Sequence, residues 1–213
     1  MFVGGKVYIS LCQKTFFGVS MNIDEMCLKL SLPSDVCRRA CEIFEEVRRR
    51  RVADRTRLIL RAAASIYAAC REMCFPVVLN KVAFLFKQRR RTINRVYRMV
   101  VDGLGIKPSP SPICYVETFA KILNIPEEGA SLAKRICGEV AVKGREICVA
   151  AACIYISMYY LSTSKPYSHV AQYILQRVTG ISEPTLRSCI KRVATESKTA
   201  REIAEKVMRW LKR

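Results

Sequence analysis

Apolar residues along this chain recur every three or four positions, the period of a helix with one face turned toward a core. Between 34 and 51 the inward set is Cys37, Ala40, Cys41, Phe44 and Val47, with Ser34 and Asp35 after Leu32-Pro33 making a helix start. The same spacing predicts helices over 21–31, 34–51, 56–74, 79–87 and 91–103, then over 113–124, 127–142, 146–162, 167–178 and 183–196. A last amphipathic helix, about 199–212, carries Ile203, Val207, Trp210 and Leu211 on one side. Outside residues 2–11 no segment sustains strand-like alternation, so the expected fold class is all-α.

The pattern occurs twice. Ala62-Ala63-Ala64-Ser65-Ile66-Tyr67 aligns with Ala150-Ala151-Ala152-Cys153-Ile154-Tyr155 at an offset of 88, and Val82-Ala83 aligns with Val170-Ala171 at the same offset. Leu30-Ser31-Leu32-Pro33 matches Leu123-Asn124-Ile125-Pro126, and Thr92-Ile93 matches Thr185-Leu186, both at 93. Four anchors in one order predict a duplicated five-helix unit. Between the copies, GLGIKPSPSP (103–112) excludes a continuous helix and reads as a semi-rigid linker. The expected organisation is an N-terminal extension over 1–20, a first unit over 21–105 and a Pro-rich linker over 106–112. A second unit over 113–197 and a C-terminal amphipathic helix over 198–213 follow. The Ala-rich helices suit the centre of each unit, because small side chains let neighbouring helices approach closely.

Charge narrows the choice of partner. The 213 residues carry 37 Lys and Arg against 18 Asp and Glu, a net +19, which argues for a polyanionic partner. No apolar run approaches the roughly 20 residues that span a bilayer, and the N-terminal segment does not read as a signal peptide, so the expectation is no membrane and an intracellular, cytoplasmic location. Eleven cysteines, an odd number without a secretory signal, argue against a secreted disulfide scaffold. Scarce amides, four Asn and four Gln, hint at a hyperthermophile, where intracellular disulfides do occur.

Cys37/Cys41 and Cys70/Cys74 are spaced to share one helix face, whereas structural zinc sites usually draw Cys pairs from loops or hairpins. Buried thiols are the preferred reading, a disulfide the next and zinc the last, so no metal is expected. One histidine, His169, no GxGxxG, Walker-type or HExxH string, and no carboxylate cluster argue against an enzyme, and no cofactor is implied.

Four strings carry a family resemblance: the AAxxIY central helices, Tyr67-Ala68-Ala69-Cys70-Arg71, Gly144-Arg145 with Val149 to Tyr155, and Thr179 to Arg187. Over roughly residues 21–197 the chain resembles the core of archaeal transcription factor B, the relative of TFIIB. The resemblance implies two tandem cyclin-like domains, the second ending in a helix-turn-helix. It implies a clamp on a TATA-binding protein already seated on bent promoter double-stranded DNA, with the second repeat reading the element just upstream of the TATA box, in a protein associated with the archaeal nucleoid.

The helix through Val193 has Leu186, Cys189, Ile190 and Val193 on its apolar face and Pro184, Arg187, Ser188 and Lys191 opposite, with Ser182 as its N-cap. Arg187 matches the family's base-contacting arginine, for which guanine O6 and N7 are the natural target. Arg90 and Arg91 fall where the family pairs with acidic residues of the TATA-binding protein, and Arg95 lies on the same basic helix. DNA backbone contacts are expected at Arg145, beginning a helix, and at Arg55, beside the RRRR run 48–51.

The cysteine pairs of the family's zinc ribbon do not appear; Cys12 is the sole cysteine of the first 20 residues. Contact with RNA polymerase in the family's manner is therefore not implied, and a regulatory paralogue stays open. The alternative reading is a cyclin-like protein-binding module that never touches DNA.

Overall fold

The computed structural model describes residues 23–107, 111–141, 146–161 and 167–203, except the side chains of 167–172. Five helices come first: α1 (Ile23–Lys29), α2 (Ser34–Arg49), α3 (Leu58–Glu72), α4 (Leu79–Leu85) and α5 (Arg90–Leu104). Five more follow: α6 (Pro112–Ile122), α7 (Glu127–Gly138), α8 (Glu146–Leu161), α9 (Tyr167–Thr179) and α10 (Glu183–Glu196). Among the described residues there is no strand, and the fold is all-α. No helix among them is long and apolar enough to cross a membrane.

Each set of five has its own core. In the first, α3 lies between α2 and α5, and Ala62, Ala63, Ala64, Ile66, Ala68 and Ala69 are fully excluded from solvent. In the second, α8 lies among α6, α7, α9 and α10, and every residue from Val149 to Ser157 is buried. The alanines bring the backbones close; Ile66, Ile154 and Ile156 fill what remains, each burial stabilising by about 1.5–3 kcal/mol. Enlarging one of those alanines would overpack the core at a cost of about 1–3 kcal/mol. The buried hydroxyls of Ser65 and Ser157 donate back to their own helices, to Arg61 O and Ile154 O, both at 2.9 Å.

The α4–α5 and α9–α10 turns use one device. Lys87 takes a left-handed φ of 50° and Gly180 a φ of 73°, and the two positions are 93 residues apart. For lysine this conformation costs roughly 1–2 kcal/mol that glycine escapes.

The largest departure from the sequence reading is at the end of α3. The helix stops at Glu72, not 74, and Cys74 adopts φ 54°. Cys70 and Cys74 therefore do not share a helix face. Cys70 is fully buried in the first core, where burial pushes its thiol up to about 12. Cys74 instead packs into the second core and forms a disulfide with Cys114 at the start of α6, with the Cα atoms 5.9 Å apart. Of the readings weighed for the cysteines, the disulfide holds for this one. A cross-link over a sequence separation of 40 contributes roughly 4 kcal/mol in the loop-entropy account. Cys27, Cys37, Cys41, Cys70, Cys137, Cys148, Cys153 and Cys189 are thiols, and no metal-binding group of His, Cys, Asp or Glu occurs among the described residues.

Beyond α10 the chain turns helical again at Lys198, with Ala200 and Ile203 buried. Val207, Trp210 and Leu211 lie outside the described residues.

Candidate nucleic-acid interface

The tight turn that starts α10 comes from Thr179 and Gly180. The buried Thr179 hydroxyl donates to Leu175 O at 2.6 Å and accepts from the Ile181 N–H at 3.0 Å, closing α9. Gly180 then reverses the chain where a side chain would sit 3.2 Å from Val78 Cγ2. Ser182 occupies the N-cap position, but its hydroxyl does not cap the helix as expected; it meets Thr185 Oγ1 at 2.8 Å.

From that start Leu186, Cys189, Ile190 and Val193 are buried, while Pro184, Arg187, Ser188 and Lys191 are all exposed. The four expected surface residues thus share one face. The structure adds a carboxylate to it: Arg187 Nη2 lies 2.5 Å from Glu183 Oε1. The i,i+4 spacing would have disclosed this pair in the sequence. Such half-exposed pairs contribute only about 0.3–0.5 kcal/mol, so a stronger anion can displace the glutamate.

The helix at the equivalent place in the first set, α5, has Ile93, Val96 and Val100 buried, with Tyr97 edge-on to Tyr67 at 4.9 Å between centroids. Arg89, Arg90, Arg91, Arg95 and Arg98 are exposed. Among the described residues none of the five forms an ion pair, and the first turn of α5 holds no acid. Cations at a helix N-terminus oppose the helix dipole, by about 0.3–1 kcal/mol each. An anionic partner would relieve that cost.

The RRRR run behaves differently. Arg48 pairs with Glu45 at 3.2 Å, while Arg49 and Arg50 both pair with Glu46, at 2.7 and 2.5 Å. The Arg49 hydrogen bond foremost, and Arg50 with it, hold the Glu46 carboxyl below its usual range. Much of this charge is neutralised within its own helix, again at i,i+3 and i,i+4 spacing. Arg55, just beyond, is exposed, and Arg145 lies outside the described residues.

The sequence reading missed a cleft of about 450 Å³ between the two sets of helices. Asn80, Arg90 and Asn94 line one side and Ser182 and Thr185 the other, so the starts of α5 and α10 share one concavity. Arg71 and Glu146 also line it, 3.4 Å apart and each 15% exposed. The Arg71 guanidinium also lies 5.8 Å from the Tyr115 ring centroid, a cation–π distance. Burial acts to lower the Arg71 pKa, but the neighbouring Tyr115, Tyr67 and Glu146 outweigh it and the net direction is up. Nothing local could have paired Arg71 with a residue 75 positions away.

A family model described as the transcription factor TFIIB repeat matches residues 13–102. The transcription initiation factor IIB of Methanocaldococcus jannaschii is 34% identical over 175 residues, 79% of this chain and 25% of that protein. That of Methanoculleus marisnigri is 33% identical over 178 residues, 81% of this chain and 51% of that protein. This chain belongs to the TFIIB family. The relative from Methanococcus aeolicus is 33% identical over 175 residues, 51% of its length. The TFIIB-family chain thus spans about half the length of two of these relatives and a quarter of the third. Each of these alignments is too long to fit within either helical set alone.

Proposed function

We propose that this TFIIB-family chain acts in transcription initiation by binding a TATA-binding protein on promoter double-stranded DNA. The observation that carries the reading is the convergence of the cationic start of α5 and the polar start of α10 on one cleft. Arg90 at the start of α5 faces the concavity that Ser182 and Thr185 of α10 also line. Arg90, Arg91 and Arg95 take the acidic surface of the TATA-binding protein, supported by their exposure and by the lack of any carboxylate paired with them among the described residues. Helix α10 enters the major groove with Pro184, Arg187, Ser188 and Lys191, and Arg187 exchanges Glu183 for a guanine edge. Arg55 and Arg145 contact the backbone of flanking DNA, which contributes affinity without sequence preference.

Gel shifts with a cognate TATA-binding protein and promoter DNA test this reading. A ternary complex is expected at low salt and should weaken as salt rises. Absence of the complex at low salt overturns the proposal. A protein-only cyclin-like module is the second reading, supported by the Glu183–Arg187 pair, which already occupies the base-reading arginine. It predicts pull-down of an enzyme without any TATA-binding protein.

A further inference from the structure

Among the described residues the two sets of helices meet through few helix-to-helix contacts. Among the described residues no helix of α1–α5 packs broadly along a helix of α6–α10. The ties between them among the described residues gather on the short stretch from the end of α3 to the start of α4. There the Val78 N–H donates to Thr179 O at 3.3 Å, Lys81 Nζ donates to Arg177 O at 3.4 Å, and Arg71 meets Glu146 at 3.4 Å. All three distances lie beyond the usual hydrogen-bond range, so each tie is individually weak. The covalent tie is different in kind. Cys74 leaves its own helix in a left-handed conformation, enters the core of the other set and is bonded to Cys114.

We infer that the Cys74–Cys114 disulfide is a redox-operated lock on the cleft. Oxidised, it pins the end of α3 to the start of α6 and sets the distance between the α5 and α10 starts. A protein dithiol reduces it: one thiolate attacks a sulfur of the pair, forming a mixed disulfide and releasing the other as a thiol. The second thiol of the reductant then resolves the mixed disulfide. The chain gains two electrons and two protons, and the dithiol leaves as a disulfide. Reoxidation is the reverse exchange with a disulfide of that class. Reduction leaves the helix packing within each set in place, because the bond runs between the sets and joins no two helices of one set, and it frees the two sets to hinge at residues 75–81. Arg90 and Ser182 line the same cleft, so on the function proposed above reduction also weakens simultaneous engagement of protein and DNA.

Three measurements on the full chain test the lock without any partner. First, the protein is purified without reductant, denatured in an alkylating agent and digested for mass spectrometry. A linked peptide pair containing Cys74 and Cys114 is expected, with Cys70 and Cys153 alkylated; recovery of Cys74 and Cys114 as alkylated thiols overturns the lock. Second, hydrogen exchange is compared with and without dithiothreitol. Amides of 75–81 and 179–182 should exchange about tenfold faster after reduction, with the interiors of α3 and α8 unchanged. Equal exchange in both states, or loss of protection throughout α3 and α8, refutes a hinge. Third, Cys74→Ser should show the reduced pattern under both conditions; an oxidised-like pattern in this variant removes the disulfide from the account. Promoter binding is measured afterwards: if no complex forms in either redox state, the function proposed above fails while the lock stands on exchange alone.

Discussion

The α4–α5 and α9–α10 units solve one packing problem and present opposite surfaces. Ile93, Val96 and Val100 are buried in the first, and Leu186, Cys189 and Val193, each 93 residues later, are buried in the second. Outside, the first begins its helix with Arg89, Arg90 and Arg91, none of them paired among the described residues. The second has Ser182, Glu183 and Pro184 there, and Glu183 holds Arg187. Inward positions are constrained by volume, since a core tolerates little change in size. Outward positions carry no such constraint, so two units with matching buried positions can differ there in charge.

Reversing charge where it is unpaired should break the comparison most strongly. Arg90→Glu with Arg91→Glu is expected to weaken the complex with the TATA-binding protein by about 100-fold or more. The same pair should raise thermal stability slightly, because acids suit a helix N-terminus. Gel shifts and a melting curve on one preparation read both signs, and a fall in stability would show that the arginines are structural.

The turns come next. Gly180→Val is expected to lose about 2–3 kcal/mol in urea unfolding, from left-handed strain plus contact with Val78 at 3.2 Å. Lys87→Gly should leave stability within about 1 kcal/mol, since relieved strain offsets added unfolded-state entropy. Equal losses at both turns would mean that Gly180 is not needed for close approach.

Arg187→Ala should reduce promoter affinity about tenfold, within the range of one bidentate base contact, and only with the upstream element intact. A loss of the same size on scrambled upstream sequence would make Arg187 a phosphate contact.

The smallest expected effect lies where the two helices end. Helix α5 stops at Gly105 in a left-handed conformation with φ 66°, its backbone N–H donating to Val101 O. Past α10, Glu139 accepts from the Ser197 hydroxyl at 2.7 Å and the Thr199 N–H at 3.0 Å. The Thr199 hydroxyl and amide, then Ser197, hold the Glu139 carboxyl down at about 2 from an ordinary 4.5. A depressed folded value means that the stabilisation is present above pH 4.5 and is lost as pH falls toward 2. Because Glu139 is exposed, solvent screening keeps the effect small. Urea midpoints at pH 5 and pH 3 should fall less in Glu139→Gln than in the parent; identical falls would show that this carboxylate contributes nothing.

Much of this was legible in advance. The helix predicted over 183–196 is found at Glu183–Glu196, and that over 79–87 is found at Leu79–Leu85. The outward face of α10 was legible too, because residues three and four apart on a helix share a side wherever the helix packs. The Glu183–Arg187 and Glu46–Arg50 pairs were readable at the same spacing and were missed because charge was counted, not placed. Illegible were the stop of α3 at Glu72, the Cys74–Cys114 bond and the Arg71–Glu146 pair.

By itself the sequence determined the helices, the two Ala-rich centres and the excess of positive charge, because each follows from residue type and from neighbours within a turn or two. The tertiary structure alone decided which cysteine left its helix, which carboxylate met Arg71 and that the starts of α5 and α10 open onto one cleft. Those distances depend on how two separately packed cores are set against each other, and the ties between them join residues tens of positions apart in the chain. No local period encodes them.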